Sequence, residues 1–335
     1  MEKQSIFKRA KSSKVFGLSV LTIVVIIVFS ILKPAFIARG NIRTLLNDLC
    51  TIGIMLVGVV PLLISGGIDL AASAEAAFGS LVFAQLLTIN SIPWGVALVL
   101  ALLSGIAMGL IIVLVCKLLN LMPFIVSLGL SSIYTGFATL WTRSNNVMIN
   151  RQSFLAIGKV AIGKWVPVLF IFMVVLVIFY AYLMKNTKFG REVYMIGGNP
   201  VAARLAGINA ERVRAILFMN SSMMSVLAGI VWACQKKMGS PTKIQVASPN
   251  FDALTAGVLG GVSFMGGSGT LMGAFVAMLL VNVFTSGIIM LGLPSFMSIM
   301  LQGLILIIAL MIDNISARRA EAAQKRAAMA SGTAK

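Results

Sequence analysis

The chain has 335 residues, 59% of them apolar and 11% charged, with 27 Lys and Arg against 9 Asp and Glu and a mean hydropathy of +1.02. A soluble domain is about 45–50% apolar and about 25% charged, so a water-soluble fold is excluded: it would have nowhere to place this hydrophobic surface, whereas lipid accepts it. The net charge of +18 comes from basic residues gathered between apolar stretches, which reads as topology signal and lipid-headgroup contact rather than nucleic-acid binding. No histidine is present, which removes His triads, His metal sites and the commonest general base, so neither an enzyme nor a metal or cofactor site is expected.

A helix needs roughly 20 apolar residues to cross a hydrocarbon core about 30 Å thick. Ten segments meet or approach that length, approximately 15–32, 45–65, 71–88, 94–116, 122–142, 165–185, 214–235, 251–263, 269–291 and 296–312. The expected fold is therefore an all-α integral membrane protein of about ten transmembrane helices. It divides into a basic N-tail (1–14), a transmembrane domain (15–313) and an Ala-, Lys- and Arg-rich C-tail (314–335) that lies against anionic lipid. The first segment resembles a signal peptide, but Phe36-Ile37-Ala38-Arg39 is a poor cleavage site and further spans follow closely, which favours a retained signal anchor. The eighth segment is short, and so tilted, broken or re-entrant. With the N-terminus inside, the N-tail, Lys117, the loop 185–214 and the C-tail hold 17 of the 27 basic residues, against 10 in the outer loops. The positive-inside rule then puts both termini in the cytoplasm.

Broken-helix signals at Pro61 and Gly66-Gly67 precede two carboxylates, Asp69 and Glu75. A charged carboxylate near the centre of a span costs roughly 2.5–3.5 kcal/mol on insertion scales, so each should face a polar interior, a partner or an interface. Asp69 is placed to cap the next span or to line a pathway. Glu75, on a different face of the helix from Asp69, has three open roles: pathway group, partner of a base, or protonated acid. Asp252 has the same N-cap alternative, helped by Ser248 and Asn250. Asn47, Asn282 and Gln302 serve either as helix–helix hydrogen-bond partners or as pathway residues, with Asn282 and Gln302 joining the two carboxylates as the candidate lining. Gly105/Gly109, Gly257/Gly261 and Gly269/Gly273 are each spaced for close helix approach, a spacing that 31 glycines also produce by chance. Cys50, Cys116 and Cys234 have no metal-like spacing and read as small hydrophobes. Gly158 to Trp165 nearly matches a phosphate loop, but Trp165 replaces the required hydroxyl, no strand precedes it and topology places it outside. Any ATP must then be hydrolysed by a partner.

The loop 185–214 carries the most local information. Asn199 is a good N-cap, Pro200 suits the first helical position, and Gly207 offers a left-handed stop. Asn209 can cap again, with Glu211 in the first turn of the next helix. The spacing predicts a short, separately capped helix outside the membrane, with Val201 and Leu205 on one face. It is suited to dock into a groove on another protein; an ordinary surface turn is the alternative.

Gly197-Gly198-Asn199-Pro200-x-Ala202-Ala203-Arg204-x-x-Gly207-Ile208 resembles the coupling-helix region of bacterial ABC importer permeases of the ribose/branched-chain-amino-acid superfamily. Ser65-Gly66-Gly67-Ile68-Asp69-Leu70 and the glycine-rich run from Asp252 to Thr270 resemble two further stretches of that family, in the same order. Where the family usually continues Asp-Leu-Ser-Val-Gly-Ser, this chain reads Asp69-Leu70-Ala71-Ala72-Ser73-Ala74-Glu75. The resemblance implies a bacterial inner-membrane permease with a coupling role for Gly197, Gly198, Asn199, Pro200, Ala203, Arg204 and Gly207. It also implies a second permease subunit, identical or related, cytoplasmic ATP-binding subunits, and a periplasmic solute-binding protein that delivers a sugar or sugar-like solute. The competing class is a secondary transporter driven by protons or sodium through Asp69 and Glu75.

Overall fold

The computed structural model describes residues 14–88, 92–163, 165–294 and isolated positions between 297 and 311. Helices dominate it: α1 (Lys14–Leu32), α2 (Arg39–Ile64), α3 (Ala72–Thr88), α4 (Trp94–Leu119), α5 (Pro123–Thr142), α6 (Gln152–Lys159) and α7 (Val168–Asn186). They continue with α8 (Lys188–Gly198), α9 (Pro200–Leu205), α10 (Ala210–Lys236), α11 (Lys243–Ala247), α12 (Pro249–Leu259) and α13 (Leu271–Met290). Among the described residues seven helices are long and apolar enough to cross a membrane: α1, α2, α4, α5, α7, α10 and α13. The 17-residue α3 and the 11-residue α12 complete the bundle as shorter apolar helices. The segment expected at 296–312 and both tails fall largely outside the described residues.

Two spans start earlier than hydropathy suggests, at Arg39 instead of 45 and at Ala210 instead of 214. Hydropathy registers only the lipid-buried part of a helix, and polar first turns extend into the headgroup layer. Helix α8 occupies a stretch that reads as loop. Its polar residues conceal an inner face of Gly190, Val193 and Ile196, all buried.

The centre of the bundle is α2, buried continuously from Leu49 to Ile64, with α10 packed against α2, α3 and α4. Lipid offers no hydrophobic drive for helices to associate, so close van der Waals packing between small residues must supply it. Gly58 of α2 faces the Ser221 backbone, and a Cβ at Gly109 would lie 2.7 Å from both Met219 Cα and the Phe218 carbonyl oxygen. At Gly105 a Cβ would lie 3.0 Å from Met223 Cα, and at Gly229 it would collide with the carbonyl oxygen of Ala76. The pair Gly105/Gly109 is thus a helix-packing seam. The other two pairs are not, because Gly261 and Gly269 adopt φ of +93° and +115° in the connection between α12 and α13. Outward faces carry lipid-compatible side chains such as Leu103, Phe137 and Val175, all exposed.

At the end of the bundle away from α8 and α9, two short antiparallel ribbons tie the connections. Val147–Met148 (β1) pairs with Met238–Gly239 (β4), and Ala161–Ile162 (β2) pairs with Val166–Pro167 (β3). The phosphate-loop lookalike runs from the last residues of α6 into this second hairpin, which Gly163 turns with φ of +59°. The three cysteines are free.

Replacing Gly229 with Val should lower stability by about 1–3 kcal/mol or more, since the new methyls meet the backbone of α3. Gly129→Ala, where a Cβ meets nothing within 4 Å, should leave the thermal unfolding midpoint in detergent unchanged or slightly raised.

Candidate functional site

Residues 187–212 fold through a succession of local caps. Thr187 accepts from the Gly190 amide at 3.2 Å and starts α8. The chain breaks at Asn199 (φ −153°, ψ 97°), whose side chain accepts from the Val201 and Ala202 amides at 3.1 and 3.0 Å. Pro200 follows at the first helical position, where no N–H is needed. The six-residue α9 ends in a Schellman motif: the Ile208 amide donates to the Ala203 carbonyl and the Gly207 amide to the Arg204 carbonyl, both at 3.0 Å, with Gly207 at φ of +79°. Asn209 then accepts from the Arg212 amide at 2.9 Å to start α10. Ala203 is the buried contact of α9, whereas Val201 and Leu205 are 70% and 85% exposed and Arg204 stands beside them in the open. An apolar pair is thus left bare beside a cation on a capped turn.

The end of α8, which carries this knob, meets the bundle in close backbone contacts as well as side-chain bonds. A Cβ on Gly197 would collide with the carbonyl oxygen of Ile64, the last residue of α2, and would come within 2.5 Å of the Gly267 amide nitrogen. That carbonyl accepts from the Gly267 N–H at 2.8 Å. Gly266 and Gly267 adopt φ of +89° and +77°, with Gly266 against the backbone of Gly66, and Tyr194 of α8 donates its hydroxyl to the Gly269 carbonyl at 2.8 Å. Arg214 reaches the Ser65 carbonyl at 3.4 Å. Three stretches far apart in sequence, 65–67, 197–207 and 266–269, meet at one junction. Gly198 sits looser than its neighbour: a Cβ there would meet Gly267 Cα at 3.9 Å, an ordinary contact. The sequence singles out Gly197 and Gly198 equally; close approach requires the first of them and Gly267.

The two carboxylates lie deeper. Both are 0% exposed. Asp69 precedes α3 in the extended connection, where its carboxylate accepts from the Ala71 amide at 2.9 Å and from the Ser221 hydroxyl at 2.8 Å. Glu75, in the first turn of α3, accepts from the Ser222 hydroxyl at 2.7 Å through Oε1, while Oε2 has no partner. A continuous helix would set the two on different faces. With α3 beginning only at Ala72, both reach consecutive serines of α10 instead. The Asn220-Ser221-Ser222 run inside an apolar stretch was the sequence signal for these partners.

Asn282 of α13 and Asp252 of α12 line a cleft of about 380 Å³ together with Thr51, Trp232 and Thr285. Ser248 precedes α12 without a side-chain cap bond, and Asn250 is bound to Ser73. Asn47 leaves its Oδ1 unpartnered, while its carbonyl accepts from Gln235 at 3.1 Å. Gln302 lies outside the described residues.

A family model described as "Branched-chain amino acid transport system / permease component" matches residues 41–310. The chain is 33% identical over 310 residues to the probable ABC transporter permease protein YphD of Escherichia coli K12, covering 92% of each chain. It is 30% identical to the ribose import permease protein RbsC of Bacillus subtilis 168, over 87% of this chain and 89% of the relative. It is 27% identical to the galactose/methyl galactoside import permease protein MglC of Haemophilus influenzae, over 94% and 97% respectively. No solved structure matches the chain.

The junction predicts unequal effects at neighbouring glycines. Gly197→Val should lower the unfolding midpoint and expose the 187–209 segment to limited proteolysis, while Gly198→Ala should leave both unchanged. Ser222→Ala, which strips Glu75 of its one donor, should cost about 1–3 kcal/mol of stability.

Proposed function

The chain belongs to the family of branched-chain amino acid transport system permease components, and from that premise we propose that it is the membrane-spanning subunit of an ATP-driven importer for a sugar or sugar-like solute. The observation that carries this reading is the capped α9 knob, whose exposed Val201, Arg204 and Leu205 stand on a rigid turn fused to the end of α2. A cytoplasmic ATP-binding subunit that grips α9 and moves it moves the α2 terminus as well, because no side chain lies between Gly197 and the Ile64 carbonyl to absorb the displacement.

The importer holds a second permease subunit, two ATP-binding subunits and a periplasmic binding protein that supplies solute. The chain sits in the bacterial inner membrane with α9 and both termini in the cytoplasm, an orientation supported by the basic residues at 185–214. Relatives named for ribose and galactose or methyl galactoside import support a monosaccharide as cargo. In this conformation Asp69 and Glu75 are sealed against α10, so they anchor α3 rather than touch solute. Nothing in the family likeness favours ion coupling through them.

The reading is tested by reconstituting the chain with its ATP-binding subunits and loaded binding protein in liposomes. Leu205→Asp and Arg204→Glu should each reduce solute uptake and stimulated ATP hydrolysis together, by on the order of tenfold or more, the size of one lost hot-spot contact. Wild-type coupling in both variants, or uptake by the chain alone on an ion gradient without ATP, overturns it.

A further inference from the structure

The cleft beside Asn282 contains polar groups that the fold itself does not use. Among the described residues, Thr22, Thr135, Thr139 and Thr142 all turn their hydroxyls back onto the carbonyl four residues earlier. Thr51 does not: it is only 5% exposed, and its Oγ1 has no partner. The Asn282 Oδ1 is likewise buried and unpartnered. Folded proteins leave few such atoms without a reason. Both line the cleft of about 380 Å³, and Asn282 continues into a void of about 30 Å³ beneath it, with Asp252 and Thr285 shared by both. Asp252, buried in the first turn of α12, adds a carboxylate to the same wall.

The donor and acceptor inventory says what would fit. Asp252 and the Asn282 Oδ1 accept, and the Thr51 hydroxyl both donates and accepts, so the wall asks for a ligand rich in hydroxyl donors. At the rim Lys236 and Lys243 balance the carboxylates of Asp48 and Asp252, so neither sign of solute is selected. Trp232 supplies an apolar ring face beside these polar groups, the usual make-up of a small-molecule site. The cleft lies at the end of the bundle opposite α9, where Asn41 of α2 meets Ser286 of α13 at 3.5 Å.

We propose that this cleft is a solute-binding station within the membrane, in which Thr51, Asp252 and Asn282 bond the hydroxyls of a neutral polyhydroxylated solute as it leaves the binding protein. The assignment rests on the importer reading above and adds to it the residues that hold the cargo.

The test uses the complete importer in liposomes. Thr51→Val removes an unpaired buried hydroxyl with little change of shape, so the unfolding midpoint should hold or rise, while solute uptake at limiting loaded binding protein should fall on the order of tenfold. Asn282→Leu should do the same to uptake. ATP hydrolysis stimulated by loaded binding protein should stay within about twofold of the parent in both, because α9 is untouched. A cysteine at Asn282, in a chain with Cys50, Cys116 and Cys234 replaced by Ala, should be modified by an impermeant thiol reagent from the periplasmic side. Uptake unaltered in both variants, or no modification at 282, overturns the station while leaving the importer intact. Loss of ATP-driven uptake in the unsubstituted importer overturns the importer reading, and the station with it.

Discussion

A single carbonyl oxygen, that of Ile64 at the end of α2, organises the end of the molecule that carries α8 and α9. Helix ends leave carbonyls without intrahelical partners, and one buried at a membrane boundary must find a donor. Here the Gly267 amide supplies it at 2.8 Å, and Gly197 covers it so closely that no side chain fits between. Three segments, each able to fold locally, are locked into one body by this contact. A glycine at 197 and left-handed conformations at 266 and 267 are what such an approach demands.

How much of this was legible in the sequence depended on the range of the interaction. The capped helix α9 was legible to the residue, because Asn199, Pro200, Gly207 and Asn209 each act within three or four positions. The spans were legible because crossing lipid requires a length of apolar chain. The junction was not: nothing local in Gly197 says that it meets residue 64, and three family-like stretches read separately give no sign that they touch. Helix α8 escaped for another reason, since one buried face of Gly190, Val193 and Ile196 is too narrow and too interrupted by charge to register against a polar background. That Asp69 and Glu75 would meet adjacent serines of α10 was not legible, because a break at Gly66-Gly67 delays α3 to Ala72 and helical spacing does not apply across a break.

Buried polar groups in this bundle fall into two physical kinds, and the difference bears on function. Asp69 and Glu75 are the costliest residues in the interior, yet each is met by a serine hydroxyl of α10, which ties α3 to that helix, although Oε2 of Glu75 stays without a partner. Thr51 and Asn282 carry no charge, and their unpartnered atoms stand on the wall of an open cleft, which Glu75 does not line. The first kind stiffens the helices that must move as units; the second is left for a ligand to complete. Helix α2 belongs to both halves of the account, since Thr51 and Ile64 lie on it. One helix therefore spans the distance from the cleft to the Ile64–Gly267 junction.

Hydrogen exchange on the reconstituted chain, with and without its ATP-binding subunits, tests the coupling claim most directly. If α9 is the docking knob and the Ile64–Gly267 contact its link to α2, amides from 201 to 208 and the amide of Gly267 should both exchange more slowly once those subunits bind. Identical exchange at 201–208 in the two conditions would contradict the account.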